Sequence, residues 1–327
     1  MQGERAYLAG NKGIAIVDLT DPAQPHIVSQ FSLPRPSYGI EVEADLLYVG
    51  SQDGLRIFPL DGKDELQEIG HLVAERAWDF ARVGQWAYLL GRFPGLRGIQ
   101  LIAVDLTNPT APQVRGSYSV RLGDPSVLVM SDTLAVIKSE INDGIIILGV
   151  DGPRFVDLGR KRFPENPFVQ AVAVDGQRLY LLHDGTLTIL DLDGRRLREV
   201  GNYTNWVTGF ISRLFVVGDL LVLSGASFRS RGVGELLIYE QANLQQPVGY
   251  LRLDTPMNVN LPIAMGAKDR RLYLGEGWPS WKIFSCSFPP PPTNAGLRIV
   301  DLADPSAPRV LAYLSTGDSF VNDLCRR

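Results

Sequence analysis

One phrase, Val-Asp-Leu-x-Asp/Asn-Pro-x-x-Pro, occurs three times in the chain. The copies lie at 17–25, 104–112 and 300–308. A phrase that returns at long intervals is typical of one structural unit used many times. Each copy follows a short apolar run led by a glycine, and four degenerate copies share this rhythm, at spacings of about 41 to 62 residues. The glycines that open the seven runs are Gly13, Gly54, Gly98, Gly144, Gly185, Gly234 and Gly296.

Every unit has the same internal order. An apolar strand such as 169–174 comes first, a Tyr/Leu strand such as 180–182 second, the glycine-led strand third and a more polar strand such as 68–72 last. Short β-branched and aromatic runs separated by Gly, Pro, Asp and Asn are strand signals. Seven such units predict an all-β fold, a seven-bladed β-propeller of four-stranded antiparallel blades.

The two ends of the chain complement each other. The sequence opens on a Tyr-Leu strand without the inner strand that should precede it, and residues 320–325 resemble an inner strand without partners. We therefore expect residues 320–325 to complete the blade formed by 1–32. This pairing would close the propeller, with 1–327 as a single domain.

The phrase at 296–308, Gly-Leu-Arg-Ile-Val-Asp-Leu-x-Asp-Pro-x-x-Pro, resembles the LVIVD repeat of bacterial and archaeal secreted and cell-surface proteins. The resemblance extends over essentially the whole chain, being specific in three units and weak in the other four. It implies a β-propeller with an extracytoplasmic location. The family provides no general catalytic motif, so the resemblance assigns no catalytic residue to this chain.

Composition narrows the choice of partners. The chain has 327 residues, of which 45% are hydrophobic and 21% charged, as in ordinary globular proteins. A net charge of -4 argues against nucleic acid and anionic membranes as partners. The apolar runs are too short to span a bilayer, so no membrane insertion is expected. Because the first residues lack signal-peptide features, we expect either a mature extracellular or cell-surface protein without its leader or, alternatively, a cytoplasmic protein.

The sequence offers little for a metal or redox site. Cys286 and Cys325 form no CxxC motif, and whether they are bridged stays open. The three histidines, His26, His71 and His183, fall in different units. We predict no cofactor, with calcium as an alternative that the acidic residues of the repeated phrase leave open.

Those acidic residues have a structural interpretation as well. Asp-Pro and Asn-Pro start turns, and Asx side chains cap nearby backbone N–H groups. The phrase lies between the third and fourth strands, where each blade needs a turn. We therefore favour turn capping over calcium binding for Asp18, Asp21, Asp105, Asn108, Asp301 and Asp304.

The long loops collect on one face. Loops between second and third strands share a face with the loops that enter each inner strand, and four of them are long, at 91–97, 138–143, 224–233 and 276–295. Arginine and large aromatic residues are favoured binding anchors, and loops carry function. The candidate rim residues are Arg92, Phe93, Arg97, Phe228, Arg229, Arg231, Trp278 and Trp281.

The entrances of the inner strands supply a second candidate set at the mouth of the central channel. It consists of Trp78, Asp79, Trp206, Asn260 and Asp323. Asp79 and Asp323 occupy similar places in their strands and together would hold a cation or a water molecule.

We favour a non-enzymatic propeller at or outside the cell surface that binds a protein or glycan through its long-loop face. One alternative is a hydrolase or lyase at the channel mouth, which could use calcium and which rests on analogy of fold. A second alternative is a structural spacer module of a larger surface protein. The sequence leaves ligand identity and oligomeric state open.

Overall fold

The computed structural model describes most of the chain. The described residues are 4–60, 66–122, 125–139, 144–161, 169–194, 196–204, 206, 210–226, 233–256, 261–268, 270–277, 295–317 and 321–326. Every regular element among them is a β-strand, and no helix that could cross a membrane occurs in these ranges. The chain forms two compact units, one made of Met1–Ser37 with Val207–Arg327 and the other of Tyr38–Trp206.

The strands form seven antiparallel sheets, which we number as blades. Blade 1 contains β1 (Arg5–Gly10), β2 (Gly13–Asp18) and β3 (His26–Ser32). Blade 2 contains β4 (Ser37–Glu43), β5 (Leu46–Ser51), β6 (Gly54–Pro59) and β7 (Gly70–Val73). Blade 3 contains β8 (Arg76–Val83), β9 (Trp86–Arg92), β10 (Gln100–Asp105) and β11 (Gln113–Ser119). Blade 4 contains β12 (Pro125–Met130), β13 (Leu134–Ser139), β14 (Ile145–Asp151) and β15 (Arg154–Lys161).

The remaining blades follow the same order. Blade 5 contains β16 (Val169–Asp175), β17 (Arg178–His183), β18 (Thr186–Asp193) and β19 (Arg196–Tyr203). Blade 6 contains β20 (Phe210–Val217), β21 (Leu220–Ala226), β22 (Val233–Glu240) and β23 (Gly249–Pro256). Blade 7 contains β24 (Leu261–Lys268), β25 (Arg271–Gly277), β26 (Ala295–Asp301) and β27 (Arg309–Gly317). The last strand, β28 (Val321–Arg326), belongs to blade 1.

The predicted fold class is confirmed: the chain is an all-β, seven-bladed β-propeller with four-stranded antiparallel blades. Blade 1 has the strand order β28-β1-β2-β3, with Leu324 opposite Leu8. The C-terminal strand therefore pairs with the N-terminal strand, as the sequence predicted. The assignment of 1–327 to a single domain stays a prediction.

The core lies between successive blades of each unit. The second and third strands carry apolar side chains, because blades within a unit cover one another. Tyr48 and Leu55 of blade 2 pack with Leu89 and Ile102 of blade 3 in one buried cluster. The fourth strands alternate between exposed and half-buried side chains, as in β3. This pattern matches the polar outer strand that the sequence predicted.

Neighbouring blades approach one another closely at glycines in their fourth strands. At three of these glycines the carbonyl oxygen of a proline in the next blade lies 1.8 to 2.0 Å from where a Cβ atom would be. The pairs are Gly70 with Pro109, Gly116 with Pro153 and Gly249 with Pro305. Each proline lies in the turn between the third and fourth strands. Only a residue without a side chain allows two backbones to approach this closely.

Candidate ligand-binding face

Residues of the predicted rim fall into two groups. The loop of blade 3 is described in full and contains Arg92, Phe93 and Arg97. Five of the predicted rim residues and one of the channel-mouth residues lie outside the described ranges. These are Phe228, Arg229, Arg231, Trp278, Trp281 and Asn260.

The blade 3 loop contains a tight turn at its start. Pro94 and Gly95 form the centre of this turn, and the N–H of Leu96 donates a hydrogen bond to the carbonyl of Phe93 at 3.1 Å. Gly95 has φ of 77°, a left-handed conformation that glycine adopts without strain. Proline followed by glycine at the centre of a turn is the signature of a type II turn. The loop backbone is thus held by local hydrogen bonding.

Two buried side chains anchor this loop. Phe93 is only 3% exposed and belongs to the core cluster between blades 2 and 3. Its ring is therefore a packing element, and the expectation that it serves as a surface anchor is corrected. Gln100, 7% exposed, donates from Nε2 to the carbonyl of Arg97 at 2.6 Å. The exposed side chains of the loop include Arg92, Leu96 and Arg97.

Beside this loop, the start of β8 adds further aromatic and cationic groups. The guanidinium carbon of Arg76 lies 5.7 Å from the ring centroid of Trp78, within cation–π range. Burial raises the pKa of Tyr38, and the positive charge of Arg76 opposes this rise. Arg76 is exposed, whereas Trp78 and Tyr38 are half-buried. An exposed cation therefore lies over partly covered aromatic surface.

Asp79 connects two blades. Its Oδ1 accepts a hydrogen bond from the N–H of Phe80 and its Oδ2 accepts one from the N–H of Leu128, both at 2.8 Å. Leu128 lies in β12, the innermost strand of blade 4, while Asp79 lies in β8, the innermost strand of blade 3. The carboxylate thus satisfies a backbone donor at the open inner edge of the next blade. Sequence reasoning did not foresee this joining role.

Asp323 has the register position of Asp79. Asp79 is opposite Leu90, and Asp323 is opposite Ala9, each next to a bulge in its inner strand. The prediction that the two aspartates occupy similar places in their strands is confirmed by these registers. The remaining described residue of the channel-mouth set, Trp206, is half-buried and donates its backbone N–H to the carbonyl of Gly185 at 2.8 Å.

The histidines lie in separate blades, and polar partners close in sequence are described for His71 and His183. His26 belongs to β3, while Nδ1 of His71 lies 3.6 Å from a carboxylate oxygen of Glu68. Nε2 of His183 is 3.1 Å from Oγ1 of Thr188 in the same blade. Across the described ranges, no group of three or more His, Cys, Asp or Glu side chains is arranged to share a metal ion.

The repeated phrase forms the same turn in all three copies. Oδ1 of the first Asp accepts the backbone N–H two residues later, at 2.8 Å from Thr20, 3.0 Å from Thr107 and 3.0 Å from Ala303. These bonds are the largest cause that lowers the pKa values of Asp18, Asp105 and Asp301 below their usual range. The second Asx of each phrase makes an equivalent bond; these residues are Asp21, Asn108 and Asp304. The predicted turn-capping role is confirmed.

Blade 7 contains a buried ion pair that sequence reasoning missed. Glu276 is fully buried, and its carboxylate receives two hydrogen bonds from the guanidinium of Arg298, one of them at 3.2 Å. The guanidinium carbon also lies 5.0 Å from the ring centroid of Tyr313. Burial raises the pKa of Glu276, and Arg298 opposes the rise. The two residues belong to neighbouring strands and are diagonal in register, because Glu276 is opposite Gly296 and Arg298 lies two positions further on. The signal was an acidic residue near the end of one strand and a basic residue in the next.

Blade 1 contributes a small cleft. Its volume is about 140 Å³, and Lys12, Gln30, Ser32 and Thr316 supply polar groups to its lining. A pocket for a drug-sized ligand typically has about 300 to 1,000 Å³. This cleft accordingly fits only a small group and not a whole organic ligand.

The sheets and their recurrent capped turns together define a repeat β-propeller. The family model for the LVIVD repeat matches residues 1–32 and 293–315, the two parts of the chain that lie around the outermost copies of the phrase. The chain is thus a seven-bladed β-propeller whose first and last parts match the LVIVD repeat. No curated protein matches the chain in sequence.

Solved structures share the fold over full length. A protein from Lactobacillus plantarum has a TM-score of 0.69 at 11% identity, with 100% of both chains covered. A provisionally assigned 6-phosphogluconolactonase from Bacteroides fragilis has a TM-score of 0.68 at 12% identity, covering 100% of this chain and 98% of that one. A protein of unknown function from Desulfotomaculum acetoxidans has a TM-score of 0.69 at 11% identity, with 98% of each chain covered. Identities this low establish similarity of fold alone.

Proposed function

We propose that this LVIVD-repeat β-propeller is a non-enzymatic binding protein at or outside the cell surface. It recognises a protein or glycan through the face that carries its long loops. The observation that carries the proposal is the blade 3 loop, which presents Arg92, Leu96 and Arg97 to solvent on a backbone anchored by Phe93 and Gln100.

Rigid presentation of exposed side chains favours binding. A ligand that meets a preformed loop does not have to order it, so less of the interaction free energy is lost on association. Arginine is enriched in binding sites because its guanidinium donates several hydrogen bonds in a fixed plane.

The contacts of Asp79 weigh against the alternative of a hydrolase or lyase at the channel mouth. Both of its oxygens accept backbone hydrogen bonds, one of them from the next blade. A carboxylate whose two oxygens both accept backbone hydrogen bonds has less capacity left to contact a substrate or a water molecule. The structural role therefore accounts for Asp79 without a reaction.

An array experiment tests the proposal. The purified protein is applied to immobilised glycans and peptides, and each bound ligand is measured again with Arg92→Ala, Arg97→Ala, Arg229→Ala and Trp281→Ala variants. Arg154→Ala is the matched control, because Arg154 is exposed at the first position of β15, at the opposite end of the strands. We expect the loop variants to weaken binding and the control to leave it unchanged.

The proposal fails if the array yields no ligand, or if every ligand binds to the folded loop variants as tightly as to the parent protein. Circular dichroism and the melting temperature of each variant establish that it is folded. Selective loss in the loop variants supports the long-loop face as the binding surface.

A further inference from the structure

Two arginines face each other at the rim of blade 3. Arg76 at the start of β8 is the direct register partner of Arg92 at the end of β9, and both side chains are exposed. Directly opposed residues of an antiparallel pair have Cβ atoms about 4.5–5.5 Å apart, and like charges in these positions are destabilising. Charge repulsion thus opposes the placement of these two arginines side by side.

The described neighbours of the pair supply no compensating ion pair. Among the residues that the structure describes, Arg76, Arg92 and Arg97 form no ion pair with a carboxylate. Glu75 is exposed beside them without such a contact. Asp79, further along β8, is engaged by backbone N–H groups. In the described part of the chain, no carboxylate therefore competes with an external anion for these three guanidiniums.

Apolar surface lies next to these charges. Leu96 is 37% exposed at the tip of the loop, and exposed Pro94 precedes it in the same turn. Sugars present hydroxyl groups and flat C–H faces, whereas a peptide can place an aliphatic side chain directly beside carboxylates. A protruding leucine among arginines is complementary to the second pattern, because both apolar burial and charge pairing are then achieved together.

We propose that the blade 3 rim binds an acidic peptide segment of a partner protein, in which carboxylates alternate with aliphatic residues. This inference rests on the proposed function and names its ligand class. Arg76 and Arg92 together clamp one carboxylate, as planar guanidiniums do in bidentate pairs. Arg97 takes a second carboxylate, and Leu96 contacts the aliphatic side chain between them.

Fluorescence anisotropy tests the inference with a labelled peptide, Glu-Glu-Leu-Glu-Glu-Leu-Glu-Glu. Its Gln-for-Glu counterpart measures the contribution of charge, and sodium polygalacturonate measures that of an acidic glycan. The protein variants are Arg76→Gln with Arg92→Gln, and Arg154→Gln as the matched control. We expect the double variant to bind the acidic peptide about tenfold more weakly, because charge-assisted contacts are lost. Added salt should weaken binding to the parent protein more than to the double variant.

The outcomes separate the ligand class from the binding face. Equal affinity of the parent and the double variant for the acidic peptide, or no binding to either, overturns the inference. Arginine-dependent binding of polygalacturonate without binding of the peptide overturns the peptide class but leaves the proposed function in place. An array ligand whose binding is lost in Trp281→Ala but unchanged in Arg76→Gln and Arg92→Gln likewise overturns the peptide class and leaves the proposed function in place. Binding of the peptide that is selectively weakened in the double variant supports the inference.

Discussion

Replacement of Asp79 by alanine tests how neighbouring blades are joined. The substitution removes a charged acceptor from two backbone N–H groups and leaves the N–H of Leu128, a residue only 6% exposed, without this partner. A hydrogen bond to a charged group contributes about 1.5–3 kcal/mol, and a buried donor without a partner costs about 1–3 kcal/mol. We therefore expect Asp79→Ala to lower the free energy of unfolding by about 3 kcal/mol.

That loss converts into a measurable change in melting temperature. An unfolding entropy of about 2.1 cal/mol/K per residue gives about 0.7 kcal/mol/K for a chain of this length, so the expected decrease is about 4 °C. Thermal unfolding followed by circular dichroism measures it. Amide hydrogen exchange provides a local test, because the N–H of Leu128 should exchange much faster in the variant than in the parent protein.

Asp132→Ala is the matched control, because Asp132 is exposed in the turn after β12 and carries the same charge. We expect it to change stability by less than about 0.5 kcal/mol. Equal melting temperatures for Asp79→Ala and Asp132→Ala, with unchanged exchange at Leu128, would refute the joining role. A deficit of Asp79→Ala that appears only in the presence of calcium would favour the ion site that the sequence suggested.

Two further changes test the close contacts and the buried ion pair. Gly70→Ala places a methyl group 2.0 Å from the carbonyl oxygen of Pro109, so it should lower the free energy of unfolding by about 1–3 kcal/mol, measured by thermal unfolding. Gly149→Ala is the control, because the nearest atom to its new methyl group would be 3.6 Å away, and it should be nearly neutral. Equal effects of the two substitutions would contradict the argument. Arg298→Met leaves the carboxylate of Glu276 buried without its partner, which should cost about 3–5 kcal/mol at pH 8. Burial raises the pKa of Glu276, so protonation of its carboxyl group should relieve part of this loss of stability as the pH falls from 8 to 5. Urea unfolding at pH 8 and at pH 5 measures the loss, and an equal loss at the two pH values would contradict the predicted pH dependence.

The architecture was predictable because it is repeated. Three signals indicate the same unit: the Val-Asp-Leu phrase, the glycine before each third strand and the Tyr/Leu second strands. A strand that is ambiguous in one copy can therefore be assigned from the other copies. The Asx turns were predictable for a local reason, since an Asp or Asn caps N–H groups only two residues away, as Asp18 does for Thr20. The pairing of β28 with β1 followed from counting strands in an incomplete first unit.

The site was less predictable because its geometry depends on distant partners. The sequence places Phe93 in a loop and predicts an exposed aromatic ring, yet this ring packs in the core between two blades. The partner of Asp79 is Leu128, 49 positions along the chain, and nothing local in the sequence indicates that contact. Arg298 and Glu276 likewise meet only because their strands are adjacent. Periodicity reports which face of a strand is covered but not which side chain of another blade covers it.

The contacts between outer-strand glycines and proline carbonyls have an evolutionary consequence. Each contact is shared between two repeats, since Gly249 lies in one blade and Pro305 in the next. A blade copied by duplication, or moved into another propeller, brings only half of each such contact with it. Whether a blade can be exchanged therefore depends on whether its glycine and its proline turn fit the neighbouring blades on each side, and not on its own sheet alone. Artificial propellers assembled from consensus blades should keep the glycine and the proline turn together.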